Sequence, residues 1–263
     1  MARLVPLFSG SSGNSYYIGT KESGILIDAG RSAKQMREML VTCGIDPLAV
    51  QGIFVTHEHS DHVNGLRVFA SKFNVPVFGT NGTLEALEAM NISNGSFDIH
   101  TMESDLQLAD MTINAFRTSH DCAESCGFRV KTADGKTLVF ATDLGFVSEE
   151  VKENLLGADF AVIESNHDIR MLETGGYPYP LKRRILSNVG HLSNGVCAEL
   201  LPELYKSGTK RMLLAHLSSE NNTPDLAYQT SLCALSMSGL VKDVDFTLAV
   251  APKANLKGTN IIF

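Results

Sequence analysis

Long apolar runs are missing from this 263-residue chain, and none approaches the roughly 20 residues that a membrane-crossing helix needs. Thiols are scarce as well. Cys43, Cys122, Cys126, Cys197 and Cys233 are odd in number and widely spread, which argues against a disulfide framework and for a reducing compartment. Met1 to Phe8 offers one Arg and a short apolar stretch, too little for a signal peptide, so it reads as the first strand and the expected location is cytoplasmic. Excess positive charge is lacking too: 22 Lys and Arg stand against 29 Asp and Glu, a net −7. Such a surface does not coat itself with nucleic acid, so a polyanionic substrate would have to be drawn in by metal ions or by a local basic patch. There is no linker, low-complexity tract or shift in composition. With 44% hydrophobic and 19% charged residues, the expectation is one globular α/β domain over residues 1–263.

What stands out is Thr56-His57-Glu58-His59-Ser60-Asp61-His62. Histidine and aspartate side chains crowd into six positions directly after Gly52-Ile53-Phe54-Val55, a short β-branched run that reads as a buried strand. Val63, Leu66, Phe69 and Ala70 then recur at helical spacing, so the motif sits at a strand-to-helix turn, with Asp61 where the helix dipole favours a carboxylate. Imidazole and carboxylate donors suit Zn²⁺, Mn²⁺ or Fe²⁺, and the missing thiolates argue against a closed structural zinc site. A merely solvated, His-rich turn is the plainer alternative, but four metal-capable side chains in this order favour metal.

Other polar residues fall in similar places. Asp28, His57, His59, Asp61, His62, His120, Asp143 and His216 each lie at or just past the C-terminal end of a predicted strand, where α/β sheets gather their ligands. Predicted strands at Arg3–Phe8, Ser15–Ile18, Gly24–Asp28, Met111–Thr118, Thr137–Ala141, Asp159–Glu164, Arg211–Ala215 and Val244–Val250 alternate with helices at Ser32–Cys43, Asp61–Asn74, Thr83–Met90 and Ser148–Leu156, and from Ser193 or Asn194 to about Lys206. The Gly10–Asn14 loop reads equally as a plain hairpin turn or as a loop presenting backbone N–H groups to an anion.

In these motifs and their order the chain resembles the metallo-β-lactamase superfamily, an αββα sandwich of hydrolases. The likeness covers nearly the whole length. It implies two divalent cations, the first held by His57, His59 and His120 and the second by Asp61, His62 and His216, with Asp143 bridging and Asp28 supporting. Ser9–Ser15, Glu164-Ser165-Asn166-His167-Asp168, Tyr179-Pro180-Leu181-Lys182-Arg183-Arg184, Gly190-His191-Leu192-Ser193-Asn194 and His216–Pro224 are similar to the YycJ/WalJ branch, which is linked to 5′–3′ exonuclease action on DNA and akin to tRNase Z and PhnP-type phosphodiesterases. By that resemblance Glu164 and His191 would assist the leaving group. Two cations roughly 3.5–4 Å apart lower the pKa of a shared water from about 15.7 toward 7, and the implied nucleophile is that bridging hydroxide, with Asp61 orienting it.

The expected partner is therefore nucleic acid, DNA before RNA, contacted by Lys182, Arg183 and Arg184 and by Ser193, Asn194 and Asn221. Tyr177 and Tyr179 either stack on bases or brace their loop. His167 is read as a substrate contact or a structural hydrogen bond, His100 as a loop residue without partners, and Cys122 and Cys126 as ordinary thiols. Only 23 positions separate His120 from Asp143, leaving no room for a tRNA-gripping arm. Rival readings are a hydrolase of a small thioester, lactone or cyclic phosphodiester on the same metals, and a non-catalytic metal-binding regulator.

Overall fold

The computed structural model describes residues 2–102 and 105–262. Two seven-stranded sheets stack face to face. The first collects β1 (Arg3–Phe8), β2 (Ser15–Gly19), β3 (Gly24–Ile27), β4 (Val50–Phe54), β5 (Val77–Gly79), β6 (Ile99–Thr101) and, paired to β1, the two-residue β14 (Ile261–Ile262). The second runs in space β13 (Thr247–Val250), β12 (Arg211–Ala215), β11 (Phe160–Glu164), β10 (Thr137–Ala141), β9 (Cys126–Thr132), β8 (Met111–Arg117) and β7 (Leu106–Leu108). Each sheet is antiparallel on one side and parallel on the other, with β3 to β6 parallel in the first and β10 to β13 in the second.

Side-chain alternation builds the layers. Leu4, Tyr16, Ile18, Ile25, Ile27 and Phe54 of the first sheet meet Ile113, Phe128, Val130, Phe140, Val162 and Leu213 of the second. On the outer face of the first sheet, Val5, Leu26 and Ile53 pack on α1 (Ala33–Thr42), α3 (Leu66–Phe73) and α4 (Asn81–Ala89). The far face of the second carries α5 (Glu149–Leu155), α8 (Asn194–Ser207) and α9 (Pro224–Met237) through Val139, Ala161, Ile163, Met212 and Leu214. Strands covered on both faces must be apolar throughout, which is why Phe160-Ala161-Val162-Ile163 shows no alternation in its sequence. The outcome is the four-layer αββα sandwich.

Several elements differ from the sequence reading. The helix expected over Asp61–Asn74 is two, α2 (Ser60–Val63) and α3, because the Gly65 amide turns to the Ala29 carbonyl and a Cβ at Gly65 would stand 1.9 Å from the Arg31 carbonyl oxygen. Pro178 and Pro180 lie at the start of a helix that was not expected, α7 (Tyr179–Ile185), where the first turn needs no amide donors. A short helix, α6 (Ile169–Thr174), precedes it. The last long strand begins at Thr247 rather than Val244. His100 is not a partnerless loop residue; it lies on β6 with its ring stacked on Phe78, centroids 5.1 Å apart.

Parallel strands ending on one edge put their exits together, and one glycine lets those exits touch. At Gly30 a Cβ would lie 1.7 Å from the Asp61 carbonyl oxygen and 2.5 Å from the Asn14 amide, while the neighbouring Ala29 amide bonds to the His62 carbonyl at 2.7 Å. Backbone cannot yield as a side chain tip can. Gly30→Ala is expected to cost about 3 kcal/mol or more in urea unfolding, the upper range of overpacking, and to lower metal uptake in the same preparation; an unchanged midpoint would mean that this contact is slack.

Candidate metal centre

Three of the residues picked from the sequence stand one or two positions beyond a strand, and all three have left-handed backbone: Asp28 after β3 with φ 61°, Asp143 after β10 with φ 56°, and His216 after β12 with φ 54°. A non-glycine residue held there costs about 1–3 kcal/mol, and such strain concentrates at functional sites. The left-handed turn takes each side chain off its sheet at the common edge.

Hydrogen bonds then fix which atoms remain available. The fully buried Asp28 carboxylate accepts from the Thr56 amide at 2.8 Å and from Nδ1 of His62 at 2.7 Å. That turns Nε2 of His62 outward, 3.4 Å from Asp61 and 3.5 Å from Oδ2 of Asp143. Nδ1 of His120 meets the Gly190 carbonyl at 3.1 Å, leaving its Nε2 3.3 Å from Nδ1 of His59 and 3.9 Å from Oδ1 of Asp143. Glu164, also fully buried, accepts through Oε1 from Nδ1 of both His191 (2.8 Å) and His216 (2.9 Å), and through Oε2 from the amides of Leu144 and Leu192.

Among the described residues, Nε2 of His57, Nε2 of His216 and Oδ2 of Asp143 are buried without any hydrogen-bond partner. A buried polar atom left alone is costly, so convergent orphan donors of this type are what a bound cation explains. Three groupings among the described residues have ligand atoms all within 4.8 Å of one another and draw on both sheets: His57, His59 and His120; Asp61, His62 and His216; and His57, His62 and Asp143. Asp143 reaches the first two as well, one oxygen facing His120 and the other His62. The residues fit divalent cations. Sequence reasoning did not single out Asn14, whose amide nitrogen lies 3.3 Å from Oδ2 of Asp61 and 3.2 Å from Nε2 of His62. Its Gly-Ser loop was the available signal, but that loop read equally as a hairpin turn.

The other candidates are distributed unevenly. Lys182 donates to the carbonyls of Glu173 and Gly175 at 2.8 Å, closing the end of α6, and Arg184 forks onto Asp121, which itself stands 3.5 Å from Nε2 of His120. Of the basic run only Arg183 makes neither a side-chain hydrogen bond nor an ion pair among the described residues; it lies 6.0 Å over the Tyr179 ring, which is exposed, while Tyr177 is half-buried. Ser193 caps α8 through the Val196 amide. Asn194 exchanges amide hydrogen bonds with Asn222 and accepts from Ser165. Asn221 is buried with its side-chain nitrogen unpaired, and so are both ring nitrogens of His167, whose pKa burial pushes down to about 4. All five cysteines are free.

Burial opposes charge on His62 and His216, but the carboxylates around them prevail. Asp28, Asp143 and Asp61 hold His62 well above the usual imidazole range, and Asp143, Asp61 and Glu164 push His216 up to about 10. His57 moves the other way, pressed well down by burial and by His62, His120 and His59. At pH 7, without cations, His62 and His216 therefore carry protons and His57 does not. Since a coordinating nitrogen must be bare, loading the metal-free protein at pH 7 is expected to release about two protons, from His62 and His216. Calorimetry in buffers of different ionisation enthalpy measures this, and uptake without proton release would contradict it.

Comparison with known proteins places this geometry. The family model described as the β-lactamase superfamily domain matches residues 24–217. Exodeoxyribonuclease YycJ of Bacillus anthracis is 40% identical over 223 residues, 84% of each chain. Exodeoxyribonuclease WalJ of Streptococcus pneumoniae is 37% identical over 244 residues, 91% of this chain and 90% of its own. Among solved structures, Zn²⁺-bound PqqB of Methylobacterium extorquens superposes over the full length of both chains with a TM-score of 0.74 at 15% identity, a likeness of fold. With its site at the shared edge of an αββα sandwich and these relatives along nearly all of its length, the chain belongs to the metallo-β-lactamase superfamily, in the branch that holds YycJ and WalJ.

Proposed function

We propose that the chain is a metal-dependent phosphodiesterase acting on nucleic acid, a 5′–3′ exodeoxyribonuclease like the relatives named above. The observation that carries this reading is the position of His191. Its Nδ1 is tied to Glu164 at 2.8 Å, its ring packs 5.0 Å from that of His120 and 5.3 Å from that of His216, and its side chain keeps 18% of its surface open. Nε2 is thus presented to whatever occupies the mouth, backed by a buried carboxylate. A departing 3′-oxygen needs a proton; a thiolate leaving a thioester does not. His191 supplies that proton from Nε2, and Glu164 keeps the ring oriented throughout.

His57, His59, His120, Asp61, His62, His216 and Asp143 would hold two divalent cations, Zn²⁺, Mn²⁺ or Fe²⁺, with Asp28 orienting His62. Cations there would acidify a water and offset the charge on the phosphoryl oxygens. Asp61 contributes a carboxylate that His62 and His216 keep ionised against burial, so it accepts a hydrogen bond from a water at the mouth and orients it. Asn14 fixes that carboxylate from the other side. Because Lys182 and Arg184 are engaged elsewhere, the pull on the substrate backbone falls to the cations, to Arg183 and to the unpaired amide of Asn221. DNA rather than RNA follows the relatives' names, and a cytoplasmic setting agrees with five free thiols.

With Mn²⁺ supplied, His191→Ala is expected to lower turnover of end-labelled single-stranded DNA about 10²–10⁴-fold while metal content stays constant. Bis-p-nitrophenyl phosphate, whose leaving group needs no proton, should lose far less. Loss of metal from this variant would make His191 a ligand instead, and hydrolysis by the wild type of a thioester alone would overturn the nuclease reading.

A further inference from the structure

A cleft of about 420 Å³ opens directly beside His120, between the loop joining β8 to β9 and the start of α5, and the reading above leaves it unused. Arg117, Ser119, His120, Glu124, Phe146 and Glu150 line it. Phe146 stands three residues past Asp143 and leaves 43% of its surface to solvent. Its loop is not slack. The Leu144 amide is bonded to Glu164 at 2.8 Å and the Gly145 amide to the Ser119 carbonyl at 2.7 Å. A Cβ at Gly145 would lie 2.1 Å from the Asn188 carbonyl oxygen, so backbone rests on backbone there. The exposed ring is therefore imposed by a fixed loop, one that also bears the carboxylate facing His120 and His62.

Charge decides what such a cleft accepts. Glu124 and Glu150 face a single cation, Arg117, which lies 3.5 Å from Glu124 and whose own amide donates to Glu150 at 2.8 Å. The local balance is negative, which repels a second phosphate. An uncharged planar group is not repelled and finds an aromatic face. We propose that this cleft is a nucleobase subsite, in which Phe146 stacks on the base of a nucleotide adjoining the phosphate at the metal centre. The proposal rests on the nucleic-acid reading. Stacking on an aromatic side chain accepts every base, as an exonuclease working through any sequence requires.

The chain has no tryptophan, so Phe146→Trp places a single indole in the cleft. In a His191→Ala background, where cutting is slowed about 10²–10⁴-fold, this variant is titrated with a short single-stranded DNA and with the same strand carrying abasic sugars on both sides of the first scissile bond. The intact strand is expected to quench the fluorescence saturably and to bind roughly tenfold more tightly than the abasic one. In the active protein, Phe146→Ala should raise KM for the intact strand by a similar factor, change kcat less, and erase the preference for intact over abasic DNA. Equal quenching by both strands, or a Phe146→Ala enzyme that still prefers the intact one, overturns the subsite while leaving the nuclease reading in place. A wild type that cleaves bis-p-nitrophenyl phosphate but neither binds nor cuts either strand defeats both.

Discussion

Everything at the mouth of the sandwich follows from one electrostatic constraint: carboxylates and imidazoles are packed where water cannot reach them. Asp28, Glu164, His57 and His62 are fully buried, and Asp143 and His216 nearly so. Buried charge is tolerable only when it is paired and hydrogen-bonded. Each carboxylate here accordingly faces histidines, and each histidine that bonds a carboxylate or carbonyl through Nδ1 is left with Nε2 pointing toward the gap. Protons can balance the set, as the raised pKa of His216 indicates, and cations can balance it in their place.

Glu164 gives this arrangement its reach. One oxygen serves both His191 and His216, so the group that would meet the leaving oxygen and a group able to hold a cation share a single acceptor. The other oxygen grips the amide next to Asp143 and that of Leu192, next to His191. A small displacement of any one of the four would be felt by the rest. Such coupling makes single substitutions here strongly non-additive, since residues in one network do not act independently.

Much of this was legible in the chain. His57–His62 could be read as a strand-to-helix turn because an apolar run precedes it and a helical stripe follows, and the placing of Asp28, His120, Asp143 and His216 at strand ends needed only strand boundaries. The rest depends on partners far away in sequence. Lys182-Arg183-Arg184 looked like one basic patch, but Arg184 is spent on Asp121, 63 positions distant, and Lys182 on carbonyls that close a helix the sequence did not announce. His100 became a strand residue because Phe78, across the ladder, offers its ring. Asn14 was hidden in a Gly-Ser loop whose turn and whose grip on Asp61 are the same local geometry. Composition and periodicity carry information along the chain, and these residues take their surroundings from across it.

Three candidate groupings draw members from both sheets, His57 and His59 with His120, Asp61 and His62 with His216, and His57 and His62 with Asp143. Whatever ions settle there would fasten the two leaves of the sandwich at the end where apolar packing gives way to loops. They would act as a clasp as well as a reagent, so that opening of the mouth, and any proteolysis that depends on it, would slow when the clasp is shut.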